Sequence, residues 1–203
     1  SCADPERLKP APAAVDPVGM RAVLALLLLA VALSGCGGPG DAAAAKPDVD
    51  GCAGSWLRPT PANEAKVRAA TLCLTNAQRA RTGAPPLTEN AELQLAAERH
   101  SLDMATRKFF EHVDPDGVSA EARIVHSGYP PIYIGENLAW GEEQESTPAA
   151  IMQALMRSPG HRENLLRPEY REIGIGLAYG APEAQPVPKD AAIYTTDFGA
   201  GGR

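Results

Sequence analysis

The chain has 203 residues, 44% of them hydrophobic, and carries a formal net charge of −6. That length suits one domain with appendages, and the mildly acidic balance speaks against nucleic acid, which selects a basic face. Aromatic residues make up only 5%, so a core must be built from Ala, Leu, Ile, Val and Met.

Residues 1–19 begin with Ser1, mix both charge signs and contain four prolines. They read as a segment upstream of a start at Met20, not as structure, and Cys2 falls with them. Met20-Arg21 is followed by Ala22 to Leu33, twelve apolar residues without a charge. That stretch is too short to span a bilayer and suits the apolar region of a signal peptide. It ends Leu33-Ser34-Gly35-Cys36, which resembles a bacterial lipoprotein signal. The resemblance implies a signal over 20–35, acylation of Cys36 and a membrane as partner through the lipid. An ordinary secretory signal or a buried helix is the alternative, since Arg21 is the one positive charge between Met20 and the apolar run. Residues 36–51, rich in Gly, Pro and Ala without apolar periodicity, read as a flexible tether.

Residues 52–203 form the expected domain. Cys52 and Cys73 should pair outside the cytoplasm; two free thiols are the alternative, and zinc lacks further ligands nearby. Thr60-Pro61 reads as cap and first residue of a helix along which Val67, Ala70, Leu74 and Ala77 recur, and Gly83 ends it. Thr88 is expected to cap a second helix with Leu93, Ala97, His100 and Met104 on one stripe. A short third helix is predicted over 119–127. A fourth starts at Thr147-Pro148 and runs to Arg157, where Ser158-Pro159-Gly160 stops it. Strands are predicted over 134–140, 173–179 and 193–198, the last two separated by a Pro-rich loop over 180–190. Helices first and a hairpin last predict an α+β fold.

Three runs carry titratable groups beside glycine, proline or turns: Phe109-Phe110-Glu111-His112, Gly135-Glu136-Asn137 and Ser158-Pro159-Gly160-His161-Arg162-Glu163-Asn164. Two imidazoles and a carboxylate suffice for a metal site or an acid/base pair. Each also has a plainer reading: His112 as a turn histidine, Glu136 as an edge carboxylate, the run at 158–164 as a structural corner. His100 reads as a core or boundary histidine, His126 as a helix-end residue, Met152 and Met156 as packing, and Glu142, Glu143 and Glu145 as a solvated loop.

These runs, together with Leu74-Thr75-Asn76-Ala77-Gln78-Arg79-Ala80, Gly128-Tyr129, Ile173-Gly174-Ile175-Gly176 and Thr196-Asp197-Phe198-Gly199, resemble the CAP superfamily (SCP-like; cysteine-rich secretory, antigen 5 and pathogenesis-related proteins), bacterial branch. The resemblance implies an α/β/α sandwich with a central antiparallel sheet, about four flanking helices and a surface cleft. In that family two histidines and two glutamates line the cleft and in some members hold a divalent metal. His112, Glu136 and His161 match three of the four; Ser158 stands in the place of the second glutamate, and Leu155 in that of a tryptophan. The cleft set is therefore His112, Glu136, His161 and Ser158, with Asn137, Arg162 and Asn164 as structural support. A divalent cation (Zn²⁺, Mg²⁺ or Ca²⁺) would use His112, Glu136 and His161.

Three functions compete. The first is a lipid-anchored binding module on the cell envelope, its cleft taking a small ligand, a lipid or a divalent cation. The second is a metal-assisted hydrolase of envelope peptides or esters, for which no HExxH frame is present. The third is a hydrogen-bonded network that shapes the fold, with protein contacts on the loops 113–118 or 180–190.

Overall fold

The computed structural model describes residues 47–182 and 190–201. The expected signal segment, Cys36 and the tether up to residue 46 lie outside them, as does most of the loop over 180–190. The last residues of the expected tether belong to the folded unit: Val49–Gly51 form a 3-10 turn. The Trp56 indole donates to the Pro47 carbonyl (2.9 Å), and the Val49 amide to Ser55 Oγ (2.9 Å).

The elements run α1 (Glu64–Thr82), β1 (Thr88–Glu89), α2 (Ala91–Arg107), α3 (Ala120–His126), β2 (Pro131–Gly141), α4 (Pro148–Arg157), α5 (Pro159–Leu166), β3 (Glu172–Tyr179) and β4 (Ala192–Gly201). Two helix starts differ from expectation. Asn63 Oδ1 accepts from the Thr60 amide (2.8 Å) and its amide group donates to the Arg58 carbonyl (2.9 Å). This local bonding holds Thr60-Pro61 in a turn, and α1 begins after Asn63. The cap of α2 is Asn90, whose Oδ1 accepts from the Glu92 and Leu93 amides at 3.0 Å each. Thr88 is drawn instead into β1, which pairs parallel with β3.

Strand order is β1-β3-β4-β2, with β3, β4 and β2 antiparallel. The fold is α+β as expected; its antiparallel sheet carries one short parallel edge. A larger correction concerns Ser158-Pro159-Gly160. These residues end α4 and at once start α5, because proline fits the first turn of a helix as readily as it breaks one. His161 therefore sits on a helix, not in a turn after one.

Helices cover both faces of the sheet. Against α1, α4 and α5, the odd residues Ile173, Ile175 and Leu177 of β3 and the even residues Ala192, Tyr194 and Phe198 of β4 build the main core with Val67, Leu74, Ile151, Leu155 and Leu165. The opposite face takes α2. There Gly174 and Gly176 let the helix backbone settle on the strand: a Cβ at either would lie 2.1 Å from backbone atoms of Leu93 or Ala97. Met152 and Met156 pack in the main core, as read from their spacing. Cys52 and Cys73 form a disulfide; a loop of this length contributes roughly 3 kcal/mol in the chain-entropy treatment. No helix among the described residues is long and apolar enough to cross a membrane.

Candidate functional site

Strand β2 alternates, and its even residues face α2. Ile134 joins the cluster of Leu93, Ala96, Ile124 and Tyr129, while Trp140 packs on Met104, Leu138 and Ile193 with Phe109 and Phe110. Glu136 falls between these two apolar patches with its side chain 2% exposed. An unpaired carboxylate there would cost several kcal/mol. Both oxygens are met. Arg123, on α3, donates to Oε2 at 2.7 Å, and His112 Nδ1 donates to Oε1 at 2.7 Å. Arg123 also donates to the carbonyls of His112 (3.0 Å) and Val118 (2.9 Å), so one guanidinium holds both the acid and the loop that delivers the imidazole.

Burial pulls the Glu136 carboxyl upward, but the His112 hydrogen bond and the Arg123 cation outweigh it and hold the group below the usual carboxylate range. It is thus an ionised acceptor, and His112 must place its N–H on Nδ1. The His112 side chain remains 55% exposed.

His161 is brought to the same strand by its helix. Its carbonyl accepts from Asn137 Nδ2 (2.9 Å), and Asn164 Nδ2 donates to Asn137 Oδ1 (3.0 Å) and to the Glu136 carbonyl (3.2 Å). With the Tyr170 hydroxyl donating to the Ile134 carbonyl (2.8 Å), these bonds cover the open edge of β2. Gly135 is required beneath them, since a Cβ would stand 2.2 Å from that hydroxyl. Burial pushes the His161 imidazole below its usual pKa, and the neighbouring His112 pushes it further. Its Nδ1 is buried without a partner.

So His112 bonds Glu136 directly, and the His161 backbone is held against the same strand, with Asn137 and Asn164 as the brace. The other two predicted residues do not join. Ser158 links α4 to α5, and its hydroxyl makes no hydrogen bond among the described residues; Arg162 is exposed, with its side chain in no ion pair or hydrogen bond among them. His126 is exposed at the end of α3, and Glu142, Glu143 and Glu145 are solvated, as expected.

Three participants were not singled out from sequence. Arg123 lies in an amphipathic short helix and gives no signal of its own. His100 was read as a core histidine; it is 1% exposed, and Nε2 donates to the Glu111 carbonyl (3.0 Å). Asp197 pairs with Glu136 across the β2–β4 register, is fully buried, and meets no donor from the protein. Burial first, then the Glu136 charge, drives its carboxyl well above the usual range. A carboxylate in the run Ile193-Tyr194-Thr195-Thr196-Asp197-Phe198 was the available sign, but it needed the strand register to be interpreted.

The expected three-ligand metal set does not fit this arrangement. Both Glu136 oxygens are bonded, and a guanidinium 2.7 Å away would repel a cation at that carboxylate. Among the described residues no three of His, Cys, Asp and Glu are grouped to hold a metal ion. What the arrangement offers chemically is an imidazole oriented by a buried, charge-neutralised carboxylate.

Residues 72–194 match the cysteine-rich secretory protein family, CAP. The uncharacterized Bacillus subtilis protein YkwD is 36% identical over 103 residues, 51% of this chain and 39% of its own length. The uncharacterized membrane protein YlbC of Bacillus subtilis is 31% identical over 127 residues, 63% of this chain and 32% of its own. The chain thus spans well under half the length of these curated relatives. An extracellular SCP-domain protein from Bacillus anthracis superposes with a TM-score of 0.52 at 25% identity, covering 70% of this chain and 45% of that one. An outer surface protein of Borrelia burgdorferi gives 0.57 at 18% identity, over 69% and 96% of the two chains, and speaks for the fold alone.

Proposed function

The chain belongs to the cysteine-rich secretory protein (CAP) family, and from that premise we propose that it is an exported, envelope-anchored binding protein that presents His112 and His161 to a small ligand. The observation that carries this reading is the state of Glu136. A carboxylate with Arg123 on one oxygen and His112 on the other is an orienting group, not a spare base or an open metal ligand. The half-exposed imidazole it orients is a recognition element. The hydrolase reading needs an activated water or nucleophile, and neither Ser158 nor Glu136 is arranged to supply one.

Export is supported by the apolar segment ahead of Cys36, by the Cys52–Cys73 disulfide, which suits an oxidising compartment, and by similarity to a Bacillus anthracis protein described as extracellular. Acylation of Cys36 would fix the chain to a membrane. Incorporation of a labelled fatty acid, lost in Cys36→Ser with release of the protein from membranes, is the expected result; a soluble wild-type protein would refute the anchor.

The cleft is tested by calorimetry on the full chain with Zn²⁺, Mg²⁺, Ca²⁺ and fatty-acid micelles as probes. Saturable binding of fatty acid, with no saturable binding of the cations, is expected, and it is abolished in both His112→Ala and His161→Ala while each variant stays folded. Hydrolysis of ester or peptide substrates that is lost in Glu136→Ala would replace the binding reading with the enzymatic one.

A further inference from the structure

The outer edge of β3 is open over its second half. Strand β1 pairs with Glu172 and Ile173 only, and the chain then turns into α2. Beyond that pairing the Ile173 carbonyl accepts from the Asn90 amide (3.0 Å), and the Ile175 amide donates to Gln94 Oε1 (3.0 Å). Alternate residues of a strand send their backbone groups to the same side. The amides and carbonyls of Leu177 and Tyr179 therefore point along this same edge. Among the described residues the Ile175 carbonyl, both backbone groups of Leu177 and the Tyr179 amide have no hydrogen-bond partner there. An unpaired edge is a template for another strand.

A recess of about 430 Å³ runs along this edge, a volume within the range of roughly 300–1,000 Å³ for small-molecule sites. Leu177, Ala178 and Tyr179 all line it. Successive side chains of a strand point to opposite faces, so three residues in a row meet one recess through the edge of the strand. The walls are α1, through Glu64, and α2, through Glu98 and Leu102, and Leu102 is 62% exposed. One end is closed. Arg68 of α1 donates to Glu64 Oε1 (3.0 Å) and to Glu98 Oε1 of α2 (2.9 Å). Gln94 Nε2, on the side chain that holds the Ile175 amide, donates to the same Glu98 oxygen (2.6 Å). Two carboxylates thus face one guanidinium. Glu98 Oε2 accepts no hydrogen bond among the described residues, on a side chain 40% exposed.

We propose that this groove binds the amino terminus of an extended apolar peptide, which adds to β3 as a parallel strand. In parallel pairing the first peptide residue bonds the Ile175 carbonyl and the Leu177 amide, and the third bonds the Leu177 carbonyl and the Tyr179 amide. The Arg68–Glu98 bridge stops the peptide beside Ile175, so the peptide begins there. Its ammonium then meets Glu98 Oε2, the free acceptor, in a charge-assisted hydrogen bond. A carboxy terminus at that place would add a third anion to two carboxylates and one cation. The parallel direction is also that of β1, whose line the peptide continues. Leu102 offers an apolar wall to a peptide side chain. Main-chain bonds supply affinity in this mode of recognition, and the flanking walls supply preference. The inference does not depend on the His112 cleft.

The test titrates the full chain with the tripeptide amide Ala-Leu-Ala and with its N-acetylated form, followed by backbone amide NMR shifts and hydrogen exchange. The free peptide should bind saturably, shift the resonances of Leu102, Leu177 and Tyr179, and slow exchange of the Leu177 and Tyr179 amides. Acetylation removes the ammonium and should weaken binding about tenfold. Glu98→Gln should weaken the free peptide by the same factor and leave the two peptides equal, whereas His112→Ala should change neither affinity. Absence of saturable binding, or equal affinity of the two peptides for the parent chain, would overturn the proposal. Binding that leaves exchange of the Leu177 amide unchanged would overturn it as well, since an ammonium contact at Glu98 alone adds no strand.

Discussion

At the scale of single residues, the arrangement turns on how Glu136 is neutralised. Arg123 is 11% exposed in its side chain and Glu136 2%, so removing one charge strands the other in low dielectric. Glu136→Gln should therefore lose about 3 kcal/mol in urea unfolding, while His112→Ala, acting on a half-exposed partner, should lose less than about 1 kcal/mol. Asp197 behaves in the opposite sense. Its folded pKa is raised, so its proton is held in the native state while the unfolded carboxyl ionises near pH 4. The native state is then penalised progressively as pH rises above that value. Asp197→Asn should be more stable than the parent at pH 7, and the difference should vanish at or below about pH 4; equal stabilities at pH 7 would show that Asp197 is not held neutral. The sequence displayed His112, Glu136 and His161, because each stands beside glycine or a turn. It concealed Arg123 and Asp197, whose parts arise from a helix docking on a sheet and from a pairing register between segments 61 residues apart.

At the scale of elements, most helices and strands were legible from capping residues and periodicity. Thr147 caps α4 as read, α3 falls inside the predicted 119–127 with Ser119 as its cap, and Gly83 closes α1 in the left-handed region at φ 74°. The misreadings have local causes. Asn90 lies two residues nearer than Thr88 to the first amides of α2 and caps them, whereas Asn63 bonds back to the Thr60 amide and holds it in a turn ahead of α1. Pro159 was taken for a terminator because a proline after a helix signals both an end and a beginning. Strand β3 is buried on both faces, and Gly174 and Gly176 serve as the seat for α2. Gly174→Ala should accordingly lower stability at the upper end of the roughly 1–3 kcal/mol overpacking range, read as a fall in the denaturation midpoint. Ala at Gly160, which has nothing within 4 Å of a Cβ and no left-handed φ, should show no such loss.

At the scale of the whole folded unit, one buried cation ties distant parts together. Arg79, fully buried in α1, donates Nε to the Pro85 carbonyl (2.7 Å) and its terminal nitrogens to those of Leu165 (2.8 Å), Arg167 (3.0 Å) and Tyr170 (3.1 Å). It thereby joins the end of α1 to the segment that leads from α5 into β3. That segment also supplies Tyr170, whose hydroxyl covers the edge of β2 next to the site. A lysine cannot reproduce the fork. Arg79→Lys should cost about 3 kcal/mol through carbonyls left unpaired, with an unchanged dependence on denaturant concentration.

The proximity of His112 and His161 is most directly tested by following the His161 imidazole through a pH titration by NMR, in the parent chain and in His112→Ala. In the parent, burial and the adjacent His112 both depress the His161 pKa. Deleting His112 removes one of those two influences, so the His161 midpoint should move upward. A midpoint that stays in place would mean that the two rings do not share a site, and the account of the cleft would fail with it.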